Sequence, residues 1–238
     1  MNVPTPSPIA RIFAWSVHIF TATGLLAGFM AILAIVDHEW QEAAYWLLAA
    51  LLIDGVDGTF ARMARVREVL PNVDGKSIDY VIDFANYAII PAFFLYESNL
   101  IFIPWNEIAV GLILLVSALY YGLDGMVSED QYFVGFPVMW NMVVLFQVFV
   151  FQVGSALNFS LVVLFAILHF VPVKFAYPSQ NKHSKVPTIL VTIFFIASLL
   201  AAIYYYPTPP VWCKILAVLT VAYYAGLAVY DTFFRKQA

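Results

Sequence analysis

Four aspartates, Asp54, Asp57, Asp79 and Asp83, lie in the stretch 51–84, beside long apolar runs. Burying a carboxylate costs several kcal/mol unless it is paired or bound to a metal, so four such groups need a common partner. Hard divalent cations bind carboxylate oxygens and remove the repulsion between them. Two ions would cancel the formal charge of all four side chains. Such a pair suits phosphoryl transfer, because the ions stabilise both the transferring phosphate and the attacking oxygen.

The spacing of these residues predicts two facing helix surfaces. Asp54, Asp57, Gly58 and Ala61 follow the i, i+3, i+4, i+7 pattern that places side chains on one stripe of a helix. The second pair of aspartates is four residues apart, near the start of the next predicted helix, and also shares one face. A connection on one side of the membrane makes the two helices antiparallel, so that their acidic faces can meet.

Small residues accompany the aspartates. Gly55, Gly58, Ala61 and Gly75 leave the same faces bare, which would let a bulky phosphorylated group approach the ions. A glycine inside a helix costs about 1 kcal/mol relative to alanine, so Gly58 needs a packing reason or a ligand reason.

Composition predicts the elements that carry this stretch. The chain is 63% hydrophobic and 11% charged, against about 25% charged residues in a soluble domain. A spanning helix needs about 20 largely apolar residues. Eight candidate segments have that character: roughly 12–36, 41–62, 76–97, 106–123, 134–152, 156–174, 186–206 and 210–232. We therefore predict an all-α, polytopic membrane protein forming one domain over residues 1–238.

The remaining composition excludes other classes. The net charge of −4 argues against nucleic acid as a partner, and the single cysteine, Cys213, excludes an internal disulfide framework and a cysteine zinc site. The first residues, MNVPTPSPIAR, lack the basic start and the cleavage site of a signal peptide, so we expect this segment to be retained.

Lysine and arginine predict the orientation, because they remain on the cytoplasmic side of short loops. Eight spans with both termini inside place every Lys and Arg except Lys214 on that side. The aspartate stretch is then at the cytoplasmic face.

The stretch that contains the four aspartates resembles the signature of a known family. The pattern D-x2-D-G-x2-A-R…G-x3-D-x3-D is typical of the CDP-alcohol phosphotransferases, integral membrane enzymes of phospholipid synthesis. Here residues 54–62 read DGVDGTFAR and are followed by Gly75, Asp79 and Asp83, so that all eight fixed positions match. Twelve residues separate Arg62 from Gly75, more than is usual in the family. This spacing, the eight spans and FPVMWN at 136–141 resemble the bacterial phosphatidylcholine synthase branch.

The resemblance implies roles for the matched residues. The four aspartates would be ligands of two divalent cations, Mg²⁺ or Mn²⁺, and Asp83 would also be the general base on the acceptor hydroxyl. The pocket for CDP-diacylglycerol would be lined by Gly58, Ala61, Arg62 and Gly75. The alcohol would displace CMP from the β-phosphate. The resemblance further implies a location in the bacterial inner membrane and, as in many family members, a homodimer.

The acceptor is predicted from charge and aromatic content. No Lys or Arg lies between Lys76 and Lys174, so that interval offers no basic pocket for an acceptor bearing a phosphate. The connection within it carries Asp124, Glu129 and Asp130, which attract a cation. Quaternary ammonium groups are held over aromatic faces, which favours choline. The candidate contacts are Tyr80, Tyr87, Tyr120, Tyr121, Asp124 and Trp140.

Other interpretations of these residues remain open. A related phosphotransferase would use serine or another alcohol, and an ion-coupled transporter would use intramembrane acids to carry protons or ions. Trp140 and Asn141 also suit simple core packing, and His18 and His169 suit interfacial or packing positions.

Overall fold

A computed structural model describes residues 6–128, 132–176 and 185–235 of the chain. The helices of these ranges are α1 (Pro8–Val36), α2 (Trp40–Met63), α3 (Val66–Val69), α4 (Gly75–Phe84), α5 (Ile90–Glu97), α6 (Trp105–Tyr121), α7 (Trp140–Leu145), α8 (Ser155–Leu168), α9 (Lys185–Tyr204) and α10 (Val211–Val229). Wider π-helical turns continue α4, α7 and α10 at Ala85–Ile89, Phe146–Phe151 and Tyr230–Phe234. Each of the eight predicted apolar segments therefore contains a helix.

Five of these helical segments are long and apolar enough to cross a membrane: Pro8–Val36, Trp40–Met63, Gly75–Glu97, Lys185–Tyr204 and Val211–Phe234. Three shorter apolar helical segments cover Trp105–Tyr121, Trp140–Phe151 and Ser155–Leu168. The prediction of an all-α, polytopic membrane protein is confirmed. Eight complete spans and two cytoplasmic termini stay predictions.

The fifth and sixth predicted segments differ from the structure at their loop ends. Residues 134–152 and 156–174 were expected to be helical, but α7 begins only at Trp140 and α8 ends at Leu168. Strand β1 (Tyr132–Val134) instead pairs antiparallel with β2 (Lys174–Ala176), Phe133 facing Phe175. Gly135 explains the break before α7, because its φ of +83° is unfavourable for other residues and a side chain there would collide with the His169 carbonyl.

The chain divides into two compact units, residues 1–90 and 91–238. The prediction of one domain over 1–238 stays a prediction. The first unit contains all four aspartates of the predicted site.

In the first unit, α1 packs along α2 through small residues. Most buried positions of α1 are small residues: Ala14, Gly24, Ala27, Gly28, Ala31 and Ala34. The exposed positions of α1 include large apolar residues: Ile12, Phe13, Ile19, Leu26 and Phe29. Membrane helices pack this way, because lipid is as apolar as leucine, and close backbone approach supplies the association energy. The large side chains thus form a face suited to lipid.

The connection between α2 and α4 is also packed on α1. Arg65 adopts a left-handed conformation after α2 ends, and α3 follows immediately. Val66 of α3 is buried in a cluster with Ala14 and Val17 of α1. The long spacing between Arg62 and Gly75 therefore holds a short helix fixed by apolar contacts.

In the second unit, a buried aromatic cluster surrounds the start of α7. Trp140 is fully buried, stacks on His169 with ring centroids 5.3 Å apart, and donates from Nε1 to Ser117 Oγ at 2.9 Å. Tyr120 meets His169 edge to face and donates its hydroxyl to the Val134 carbonyl. These contacts make Trp140 a core residue, which is one of the two roles expected for it.

Candidate metal centre

Three carboxylates from two helices come together in the first unit. Asp54 and Asp57 project from the C-terminal half of α2, and Asp79 projects from the second turn of α4. One carboxylate oxygen from each lies within 4.8 Å of the others. Asp57 is buried, with 7% of its surface exposed, and the other two are half-buried.

This donor set fits a hard divalent cation. All three ligands are carboxylate oxygens, which Mg²⁺, Mn²⁺ and Ca²⁺ prefer. Oxygens bound to one Mg²⁺ ion lie about 3 Å apart when neighbouring and about 4.2 Å apart when opposite, so a group within 4.8 Å could close around one ion by rotation of its side chains. Without a cation, three neighbouring carboxylates repel one another. The predicted metal ligands Asp54, Asp57 and Asp79 are therefore brought together.

Asp83 lies beside this group rather than within it. It is half-buried one turn beyond Asp79, and its carboxyl group lies near that of Asp54. Its position beside the metal group is compatible with a second ion and with a base on an acceptor. Both roles stay predictions.

Two hydroxyl-bearing residues lie beside the carboxylates of α2, and one of them donates to a carboxylate. The Tyr87 hydroxyl donates to Asp54 Oδ2 at 2.7 Å. Thr21 on α1 lies near Asp57, and its hydroxyl donates to the Val17 carbonyl at 3.2 Å. Sequence reasoning did not assign Thr21, because threonine is common in membrane helices and carries no distinguishing pattern.

The start of α4 is fixed by its cap. The Asp74 side chain accepts hydrogen bonds from Ser77 Oγ at 2.5 Å and from the Lys76 backbone N–H at 3.1 Å. The bonds from Ser77 hold the pKa of the Asp74 carboxyl below its usual value. This cap places Gly75 in the first turn and Asp79 one turn later.

The residues predicted to bind CDP-diacylglycerol surround the same region of the first unit. A β-carbon on Gly58 would meet only Arg62 Nη1, at 3.5 Å, which is an ordinary contact. Arg62 is exposed and donates to Thr59 Oγ1 at 2.9 Å. Ala61 packs against the cluster around Val66. Protein packing therefore does not explain why residue 58 is a glycine, and the ligand explanation gains support.

Gly75 has a different neighbour, His18 of α1. The imidazole lies against the Gly75 backbone, and its buried Nε2 has no hydrogen-bond partner among the described residues. His18 was expected to be a packing residue. It is buried as a packing residue would be, and it lies beside Gly75, which is predicted to bind the nucleotide; a lone histidine in an apolar helix does not reveal that position.

The predicted choline contacts fall into both units. Tyr80 and Tyr87 belong to the first unit. The Lys76 ammonium lies 5.1 Å from the centroid of the Tyr80 ring, and the Tyr87 hydroxyl donates a hydrogen bond to Asp54. In the second unit, Tyr120 and Trp140 are buried, Tyr121 is half-buried and Asp124 is exposed. Glu129 and Asp130 lie outside the described residues. Buried Tyr120 and Trp140 offer little ring surface to a ligand, and all six assignments stay predictions.

Fold and site together define a class: a polytopic helical membrane protein in which two helices bring together three carboxylates that could hold a metal ion. Comparison with known proteins narrows that class. A phosphatidylcholine synthase of Rhizobium johnstonii is 39% identical over 219 residues, covering 91% of this chain and 89% of the relative. That of Rhizobium meliloti is 41% identical with the same coverage, and that of Legionella pneumophila is 32% identical over 98% of this chain. No protein-family model matches the chain. The chain belongs to the phosphatidylcholine synthase family.

Proposed function

We propose that this chain transfers the phosphatidyl group of CDP-diacylglycerol to the hydroxyl of choline and releases CMP. Family membership confirms the prediction of an enzyme that makes phosphatidylcholine. The single observation that supports the chemistry is the cluster of Asp54, Asp57 and Asp79, whose oxygens are arranged for a divalent cation.

The three clustered carboxylates would hold the cation, and with Asp83 they would hold a pair, either Mg²⁺ or Mn²⁺. When bound, such ions neutralise the diphosphate charge and stabilise the charge that develops during transfer. The side chains of α2 and α4 supply the geometry for this, because each of the two helices contributes at least one of the clustered carboxylates.

Asp83 is proposed as the general base. The choline oxygen forms a bond to the phosphorus of the phosphatidyl group, and the hydroxyl proton passes to the Asp83 carboxylate. The bond from that phosphorus to the oxygen of CMP breaks, and CMP leaves with the electron pair. Asp83 suits this role because it is half-buried beside the metal group without belonging to the three-carboxylate cluster.

The nucleotide would lie against Gly58, Ala61, Arg62 and Gly75. Gly58 leaves the helix surface bare beside the metal ligands, and Arg62, one turn further, is exposed and carries the charge to pair with a phosphate. The choline headgroup would contact aromatic and acidic residues between Lys76 and Lys174, an interval that contains no Lys or Arg. Among the candidates, Tyr80, Tyr121 and Asp124 have exposed surface.

The positive-inside pattern supports a bacterial inner-membrane protein whose active site opens to the cytoplasm, where CMP would be released. A homodimer is proposed from the family resemblance alone.

The deciding experiment is an acceptor competition. Purified protein would receive CDP-diacylglycerol with equal concentrations of choline, ethanolamine, serine and glycerol phosphate, and CMP and lipid products would be measured together. Phosphatidylcholine should dominate. Preferential use of serine or glycerol phosphate would contradict choline as the acceptor and leave phosphotransfer standing. Absence of CMP with every acceptor would contradict the transferase itself.

A further inference from the structure

Tyr87 has a contact that the catalytic assignments do not use. Its hydroxyl donates to Asp54 Oδ2 at 2.7 Å, a short and well-formed hydrogen bond to a carboxylate. The ring is buried, with 6% of the residue exposed, so the phenol is held within the first unit.

The backbone around Tyr87 is unusual. Residues Ala85–Ile89 form a π-helical turn directly after α4. Such turns are rare and occur often at functional sites. Tyr87 follows Asp83 by four residues and Asp79 by eight, a spacing that keeps all three side chains near one face of the helix.

The turn is fixed by α1, independently of the carboxylates. Asn86 donates from Nδ2 to the Gly24 carbonyl at 3.1 Å and is almost fully buried. A side chain on Gly28 would collide with the Asn86 carboxamide, so the small residues of α1 form the recess that receives it. Packing against α1 therefore sets the position of Tyr87 before any ligand binds.

We infer that Tyr87 is a positioning residue for the metal centre: its hydroxyl fixes the orientation of the Asp54 carboxylate so that this group is ready to coordinate a cation. The inference rests on the proposed function. A donor that holds one carboxylate oxygen removes rotational freedom that cation binding would otherwise have to remove. Loss of such supporting partners weakens metal affinity about 10–100-fold in known sites.

The test uses Tyr87→Phe in the full chain, because phenylalanine keeps the ring and removes only the hydroxyl. Mn²⁺ binding to purified protein would be measured by electron paramagnetic resonance, alongside the Mn²⁺ dependence of CMP release. We expect the Mn²⁺ dissociation constant to rise about 10–100-fold, with most of the turnover restored at saturating Mn²⁺. A purely structural defect would lower the melting temperature and would not be restored by metal.

Tyr223→Phe is the matched control. The Tyr223 hydroxyl is hydrogen-bonded to Thr188 Oγ1 at 3.1 Å, between α9 and α10 in the other unit. Removing it deletes the same chemical group from a half-buried tyrosine of a membrane helix and should leave Mn²⁺ affinity unchanged.

Two results distinguish a failure of the proposed metal centre from a failure of the proposed role of Tyr87. Wild-type protein that releases CMP but binds no Mn²⁺ would overturn the proposed metal centre. Wild-type protein that binds Mn²⁺, together with Tyr87→Phe of equal affinity, would overturn the role of Tyr87 alone.

Discussion

His18 of α1 and Gly75 of α4 are in direct contact: a β-carbon on residue 75 would lie 3.0 Å from His18 Cε1. That separation is shorter than ordinary carbon contacts, so an alanine at residue 75 would require the imidazole to shift by a few tenths of an ångström. Because Gly75 opens the helix that carries Asp79, the contact also sets how closely this end of α4 approaches α1.

Gly75→Ala should therefore lower both the melting temperature and the affinity for CDP-diacylglycerol. The reason is steric, so the effect should depend on His18. In the double variant His18→Ala/Gly75→Ala, the stability loss from the alanine at residue 75 should shrink, with a coupling of at least about 0.5 kcal/mol. Thermal unfolding of the wild type, the two single variants and the double variant in one detergent measures this coupling. Strictly additive losses would show that the two residues do not constrain each other.

Gly58→Ala should separate stability from activity. Its β-carbon meets only Arg62 Nη1 at 3.5 Å, so the helix should gain up to about 1 kcal/mol from the better helix former. If the bare surface receives the nucleotide, the KM for CDP-diacylglycerol should rise. Gly226→Ala, a helical position with no atom within 4 Å of the added carbon, is the control and should leave KM unchanged. An unchanged KM in Gly58→Ala would remove residue 58 from the pocket.

Asp83→Asn should separate the base from the metal ligands. Asparagine keeps the size of the side chain and loses the proton acceptor, so turnover should fall by about 10²-fold or more while CDP-diacylglycerol still binds. Asp57→Asn, within the three-carboxylate cluster, should instead weaken Mn²⁺ binding. Single-turnover kinetics and Mn²⁺ titration distinguish the two variants. Near-normal turnover in Asp83→Asn would assign the base elsewhere.

Chelation should abolish CMP release, and added Mg²⁺ or Mn²⁺ should restore it. The carboxylates of Asp54, Asp57 and Asp79 would otherwise repel the diphosphate of the substrate. The measurement is activity in excess EDTA, followed by titration of each cation. Full activity in EDTA would contradict a metal-dependent mechanism.

Cysteine labelling tests the orientation. Cys213 is fully buried, so the native protein should give a low background with an impermeant maleimide. Asn72→Cys, in the exposed connection before α4, should react only from the cytoplasmic side, and Thr208→Cys, between α9 and α10, only from outside. The reverse pattern would invert the topology and move the metal centre to the other face.

The sequence predicts the helices and the acidic cluster for clear physical reasons. Long apolar runs have few alternatives to helices in a membrane. The spacing of Asp54 and Asp57 follows the helical period, and Asp79 lies near the start of the next helix, so their meeting is predictable. The surroundings of Tyr87 and His18 are not predictable, because they are tertiary contacts. Asn86, next to Tyr87, donates to the Gly24 carbonyl, and His18 lies beside Gly75, which has no side chain.

Apolar loops were harder to predict for a related reason. In a chain with so many hydrophobic residues, hydropathy does not distinguish a helix from an apolar loop. Residues 135–139 and 169–173 were therefore included in predicted spans, although they connect β1 to α7 and α8 to β2. Hydropathy likewise does not separate buried Trp140 from residues that face lipid.

The division of the metal ligands between α2 and α4 has a consequence for biogenesis. During synthesis α2 leaves the ribosome before α4, so Asp54 and Asp57 enter the membrane before Asp79, their third partner in the cluster, has been made. The cation site is complete only when the later helix has been inserted beside the earlier one. Binding of the proposed cation would therefore be a late event in maturation, and it would stabilise chains whose first unit has been correctly assembled over those stalled after α2.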